Sequence, residues 1–124
     1  MTLYAVPSGP GDDSRPSGVP DPTAGRQVEA AELVELVHRS AQGDQDAFAE
    51  LYDDTSGRVY GIVWRVLRSA DHAAEVTQEV YTEVWRQAAR FEVGKGSVLA
   101  WVATMAHRRA VDRVRSVTRE VARD

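Results

Sequence analysis

The chain has 124 residues, no cysteine and a formal net charge of −4. This length suits a single domain, and the lack of thiols excludes both a disulfide framework and a thiolate metal site. The three histidines, His38, His72 and His107, lie far apart without metal-ligand spacing, so no metal and no cofactor is expected. No apolar run reaches membrane-spanning length and the N-terminus lacks the regions of a signal peptide, which points to a cytoplasmic protein without membrane insertion.

The charge is unevenly spread. Residues 1–57 hold 3 Arg against 11 Asp and Glu, a balance of −8, whereas residues 58–124 hold 12 Arg and Lys against 8 Asp and Glu, a balance of +4. An anionic partner would meet the second half.

All five prolines, Pro7, Pro10, Pro16, Pro20 and Pro22, fall near the N-terminus among glycines. Such a segment buries too little to offset its ordering entropy, so residues 1–28 are expected to form a disordered tail. The expected domain is 29–116, an all-α compact bundle of four to five helices. From Glu29 to Ala41, Leu33, Val34, Leu36 and Val37 make an apolar stripe. Gly43 ends that helix and Asp44 can cap the next. Gln45 to about Asp54 carries Phe48, Leu51 and Tyr52, and about Gly57 to Leu67 carries a second apolar series. Only Thr55-Ser56-Gly57 interrupts them, so the two segments are either separate helices or one bent helix.

Asp71 is the expected N-cap of a long helix from His72 to about Arg90. Its apolar series Val76, Val80, Val84 and Ala88 recurs every four residues, and a second edge carries Glu75, Gln78, Glu79 and Glu83. Phe91 to Gly96 breaks the pattern. Ser97 can cap a last helix through Arg115, and residues 117–124 are expected to fray. No strand pattern and no repeat is found.

At 100° per residue, the last helix sets Leu99, Val102, Ala103, Ala106, Ala110 and Val114 on one side. Trp101, Thr104, Arg108, Asp112 and Arg115 fall on the other, flanked by His107. An indole among guanidiniums suits unpaired nucleic acid, since bases stack on rings and cations hold phosphates. The preceding Gly94-Lys95-Gly96 loop permits close backbone approach, and a flipped base can sit beside it. The competing accounts are that Trp101 packs on a neighbouring helix or on the Phe91 loop, and that the arginines are an ordinary solvated face. An enzyme is not expected: His107 and Asp112 point in different directions on a helix, and neither a nucleophile nor a phosphate loop accompanies them.

The stretches DAFAELYDDTSGRVYGIVWRVL, AAEVTQEVYTEVWRQAARFEVGKGS and LAWVATMAHRRAVDRVRS follow one another between about Asp44 and Ser116. Together they resemble region 2 of bacterial sigma factors of the extracytoplasmic-function (ECF) group. The wording TQEVYTEVW and AWVATMAHRRAVDRVRS is most similar to the actinobacterial sigma-K-type subgroup. The resemblance implies a transcription initiation module, likewise not an enzyme, that binds two partners. One is the β′ clamp helices of the RNA polymerase core, met by Glu75, Gln78, Glu79, Tyr81 and Trp85. Of these, Glu75, Gln78 and Glu79 are the better contact candidates, because a bundle core also requires Val80, Val84 and Trp85. The other partner is the non-template single strand of the promoter −10 element. The DNA-binding set implied is Phe91, Lys95, Gly96, Ser97, Trp101, Thr104, His107, Arg108 and Arg115, with the loop capturing an extruded base so that the element melts.

The chain departs from the common family wording in two places. Where many members read A-E-D-L-V-Q-E, it reads Ala73-Ala74-Glu75-Val76-Thr77-Gln78-Glu79, and the family's Arg-Asn pair is replaced around His107 and Arg108. The second domain usual in the family, region 4, is absent from this sequence, so weak binding of −10 single strands is expected of it alone. The resemblance also implies an anti-sigma partner, and the module is expected to be a monomer. The competing function is a helical interaction bundle that binds polymerase or an anti-sigma factor without touching DNA.

Overall fold

The computed structural model describes residues 22–123. Within them the chain forms four helices, α1 (Pro22–Ala41), α2 (Gln45–Leu67), α3 (Ala70–Gln87) and α4 (Val98–Arg123). Two single 3₁₀ turns, Ala88–Arg90 and Val93–Lys95, join α3 to α4. The expected all-α bundle is therefore what these residues form, with no strand among them. Helix α1 starts at Pro22, ahead of its apolar stripe, as proline in a first turn allows. Residues 1–21 of the expected tail lie outside the described residues.

Gly43 takes φ +90°, a conformation glycine adopts without strain. It closes α1 and turns the chain into Asp44. The Asp44 carboxylate accepts from the Ala47 amide at 3.0 Å and from Arg39 Nε at 3.0 Å, which fixes the corner between α1 and α2. These donors hold the Asp44 carboxyl below its usual range, led by the Ala47 amide, with Arg39 adding to it.

Helix α2 runs unbroken through Thr55-Ser56-Gly57. Thr55 is buried, and its hydroxyl donates to the Leu51 carbonyl at 2.7 Å while also meeting the Tyr81 hydroxyl. With its polar group satisfied inside the bundle, Thr55 does not end the helix. The helix stops at Arg68, whose φ of +53° places its amide on the Trp64 carbonyl at 2.7 Å. The Arg68 guanidinium lies 4.8 Å from the centre of the Trp64 ring.

Ser69, not Asp71, caps α3. Its hydroxyl accepts from the His72 amide at 3.3 Å. The left-handed Arg68 turns the chain so sharply that Ser69 already sits at the cap, and Asp71 falls in the first turn, where a carboxylate suits the helix dipole.

The core joins Leu33, Leu36 and Val37 of α1 to Leu51, Val59 and Val63 of α2, Val76, Val80 and Val84 of α3, and Val102, Ala106 and Ala110 of α4. On α4 the buried face includes Val98 and Met105, whereas Leu99 and Ala103 are half-buried and Val114 is 37% exposed. The inner face is thus rotated from the expected one. The helix also continues past Ser116 to Arg123, because residues 117–123 contain no glycine or proline to stop it.

Candidate functional site

The segment between α3 and α4 is shaped by its own backbone. The Phe91 amide bonds the Ala88 carbonyl at 3.2 Å, and the Lys95 amide bonds the Glu92 carbonyl at 3.0 Å. Gly96 then takes φ +130° with ψ −178°, a region open essentially to glycine alone. Ser97 caps α4 by accepting from the Ala100 amide at 3.1 Å. These turns fold the Phe91 ring inward, leaving it 8% exposed, against Trp101 with the ring centres 5.2 Å apart.

A cavity of about 290 Å³ opens there, lined by Arg90, Phe91, Glu92, Lys95, Gly96, Ser97, Ala100, Trp101 and Thr104. Its aromatic wall joins the buried Phe91 to the half-buried Trp101, and its rim is polar. Lys95 Nζ meets Glu92 Oε1 at 2.8 Å across that rim. The Thr104 hydroxyl donates to the Ala100 carbonyl at 2.9 Å, which leaves its oxygen able to accept. An enclosure of this kind suits a flat ring presented edge-on to hydrogen-bonding groups.

Six of the nine residues expected at a nucleic-acid site line this one cavity: Phe91, Lys95, Gly96, Ser97, Trp101 and Thr104. The other three lie further along α4. His107 is exposed, Arg108 pairs with Glu83, and Arg115 lies 3.8 Å from Asp112. Trp101 is not a freely exposed indole but packs on the Phe91 loop. Sequence reasoning missed Arg90 and Ala100. The only signal for them was their place beside Phe91 or one turn before Thr104.

Three arginines of α4, Arg108, Arg109 and Arg113, reach carboxylates of α3. Glu83, 8% exposed, accepts from Arg108 Nη2 at 2.5 Å and from Arg109 Nε at 2.7 Å. Arg113 reaches Glu79 at 2.7 Å, Glu75 at 2.8 Å and His72 Nδ1 at 3.1 Å. Glu75, Glu79 and Glu83 recur every turn on α3, and the antiparallel α4 sets its arginines opposite them. These acids and arginines thus meet across the α3–α4 seam, while Arg108 stays 51% exposed and Glu75 63% exposed. Burial works against the charged form of Glu83, but the hydrogen bonds and charges of Arg109 and Arg108 outweigh it and hold its carboxyl below the usual range.

The residues expected to meet a protein partner divide in the same way. Glu75 and Glu79 belong to the ladder just described. Tyr81 is 3% exposed and its hydroxyl pairs with Thr55, so it is mainly a core residue. Burial, with Tyr52 adding to it and the Thr55 hydrogen bond opposing, pushes the Tyr81 phenol up to about 12. Trp85 is 36% exposed and packs edge-on against Phe48 at 5.1 Å. Gln78 Nε2 donates to the Tyr52 hydroxyl at 3.4 Å. Gln78, Tyr81 and Trp85 thus border an open groove of about 250 Å³ with Phe48, Tyr52 and Thr82. Phe48 and Tyr52 are half-buried against the core, and only their four-residue spacing on α2 hints at a shared edge.

Among the described residues, no group of His, Asp or Glu is placed to hold a metal ion, and no helix is long and apolar enough to cross a membrane.

Residues 51–120 match the family described as Sigma-70 region 2. The chain is 59% identical over 86 residues to the ECF RNA polymerase sigma factor SigK of Mycobacterium tuberculosis, a match covering 69% of this chain and 46% of that protein. For the SigK of Mycobacterium ulcerans the identity is 58% over 85 residues, covering 68% of this chain and 46% of the relative. For that of Mycolicibacterium vanbaalenii it is 55% over 86 residues, covering 69% and 44%. The chain therefore spans less than half the length of these curated relatives.

Proposed function

The chain belongs to the sigma-70 region 2 family, in its extracytoplasmic-function branch, and from that premise we propose that it captures an unpaired base of the promoter −10 element while docked on RNA polymerase. The observation that carries this reading is the Phe91–Trp101 cavity, aromatic on its wall and polar at its rim. A base of the non-template strand enters it and stacks on Trp101. Ser97 and Thr104 hydrogen-bond its edge, and Lys95 neutralises the adjoining phosphate. His107, Arg108 and Arg115 continue along α4 and track the strand, Arg108 through the part of its guanidinium that Glu83 leaves exposed. Melting follows without a chemical step, because stacking on protein and phosphate neutralisation replace base pairing.

The second surface is the groove of Gln78, Trp85, Phe48 and Tyr52. It receives the β′ clamp helices of the polymerase core, with the edges of Glu75 and Glu79 setting charge complementarity. An anti-sigma protein that covers this groove competes with polymerase.

A short non-template −10 oligonucleotide, chosen by a binding screen, tests the first surface by fluorescence anisotropy. Trp101→Ala removes a stacking contact of roughly 1–3 kcal/mol, so the affinity is expected to fall at least about fivefold. Equal binding by wild type and Trp101→Ala contradicts base capture. A second reading, an interaction bundle without DNA contact, is favoured by one observation: Arg108, Arg109 and Arg113 are engaged by α3 carboxylates. Failure of every −10 single strand to bind, beside intact binding of core polymerase, selects it.

A further inference from the structure

Glu92, Ser97 and Thr104 line the Phe91–Trp101 cavity, and all three residues are exposed. Their existing bonds decide what each can still offer. The Thr104 hydroxyl donates its one hydrogen to the Ala100 carbonyl at 2.9 Å, so its oxygen can only accept. The Ser97 oxygen accepts from the Ala100 amide at 3.1 Å and keeps its hydrogen to donate. Glu92 Oε1 takes Lys95 Nζ at 2.8 Å, which leaves Oε2 without a partner among the described residues. The Lys95 amide also bonds the Glu92 carbonyl at 3.0 Å. One lysine thus anchors both the backbone and the carboxylate of Glu92 at the rim.

Two acceptors and one hydroxyl donor remain for a base edge. The lining cations, Arg90 and Lys95, suit the phosphate instead. Adenine, cytosine and guanine each present an exocyclic amine, whereas thymine presents carbonyl oxygens on either side of a single ring N–H. A carboxylate and an accept-only hydroxyl suit the hydrogens of an amine. Against thymine they oppose its carbonyl oxygens, and acceptors left facing acceptors cost free energy once water is excluded. We propose that Glu92 is a specificity-determining residue of this cavity, which together with Thr104 admits a base bearing an exocyclic amine and rejects thymine. The inference rests on the base-capture reading above and names the class of base that the site takes.

The test uses the full chain and fluorescence anisotropy. The −10 single strand from the binding screen is varied one position at a time through all four bases. One position should bind thymine at least about fivefold more weakly than an amine-bearing base. Glu92→Gln exchanges one acceptor oxygen for an amide that can donate to a carbonyl. In that variant thymine at the same position should bind within about twofold of the amine-bearing base. The Lys95–Glu92 pair is 78% and 61% exposed and adds little to stability, so the variant stays folded by circular dichroism. Its loss frees Lys95 and shifts the affinity for every strand alike, which makes the ratio between bases the readout.

A thymine penalty absent from every position, or one that persists unchanged in Glu92→Gln, overturns the selection; weaker binding by Trp101→Ala in the same assay leaves base capture standing. Equal binding by wild type and Trp101→Ala overturns base capture and the selection with it.

Discussion

Replacing Glu83 with alanine probes the contact that joins α3 to α4. Glu83 is 8% exposed and accepts two charge-assisted hydrogen bonds, from Arg108 and Arg109. Each such bond contributes about 1.5–3 kcal/mol when its partners are held from water. The two guanidiniums are 51% and 36% exposed, so they regain water when the carboxylate is removed, and the loss is well below the sum. A net destabilisation of about 2 kcal/mol follows, or roughly 10 °C in Tm for a domain near this size. Glu79→Ala, whose carboxylate is 43% exposed, is the control and should cost less than about 1 kcal/mol. Circular dichroism melts at several pH values provide the assay. Because the folded carboxyl of Glu83 titrates below its ordinary value near 4.5, its stabilisation is present above that pH and is lost as pH falls through the folded value. The gap in Tm between wild type and Glu83→Ala should therefore shrink in acid below about pH 4.5. Equal small shifts for Glu83→Ala and Glu79→Ala at neutral pH would refute the reasoning.

The phenol of Tyr81, raised to about 12, keeps its proton in the fold at a pH where an unfolded tyrosine loses it. Its stabilisation is thus complete below about pH 10 and disappears as pH climbs through 12; Tyr81→Phe should lack this part of the alkaline transition in urea titrations followed by fluorescence. Ser69→Ala removes the cap of α3 and is expected to lower stability by about 1 kcal/mol, whereas Asp71→Ala loses only a dipole contact of about 0.3–1 kcal/mol; chemical denaturation ranks the two. Gly96→Ala forces an alanine into a conformation that costs of order 1–3 kcal/mol, so the loop should shift and −10 single-strand affinity should drop, as anisotropy would record.

Much of the fold was legible because caps and periodicity are local. Asp44 and Ser97 act as the sequence indicates, and the Val76, Val80 and Val84 series is buried as spaced. Ser69 displaced Asp71 because the positive φ of Arg68 is unusual for a non-glycine residue. Helix α2 passed through an apparent breaker because Thr55 found a partner 26 positions away in Tyr81, which no local window contains. The cavity was legible as a set of residue types around Gly94-Lys95-Gly96, but its wall was not, since a helical wheel turned Trp101 outward without knowing where Phe91 would fold. The carboxylate–arginine ladder was hidden for a related reason. Each helix displays one sign of charge on an edge, and only the register of α3 against α4 decides whether those edges face solvent or each other.

The reading as a base-capturing module is tested most directly by the emission of Trp101 alone. In a Trp64→Phe, Trp85→Phe double variant, Trp101 is the remaining indole. Titration with a −10 single strand should quench its fluorescence along the same curve that anisotropy traces, while duplex of the same sequence leaves it unchanged. Saturable binding of the single strand with no change in Trp101 emission would contradict the account.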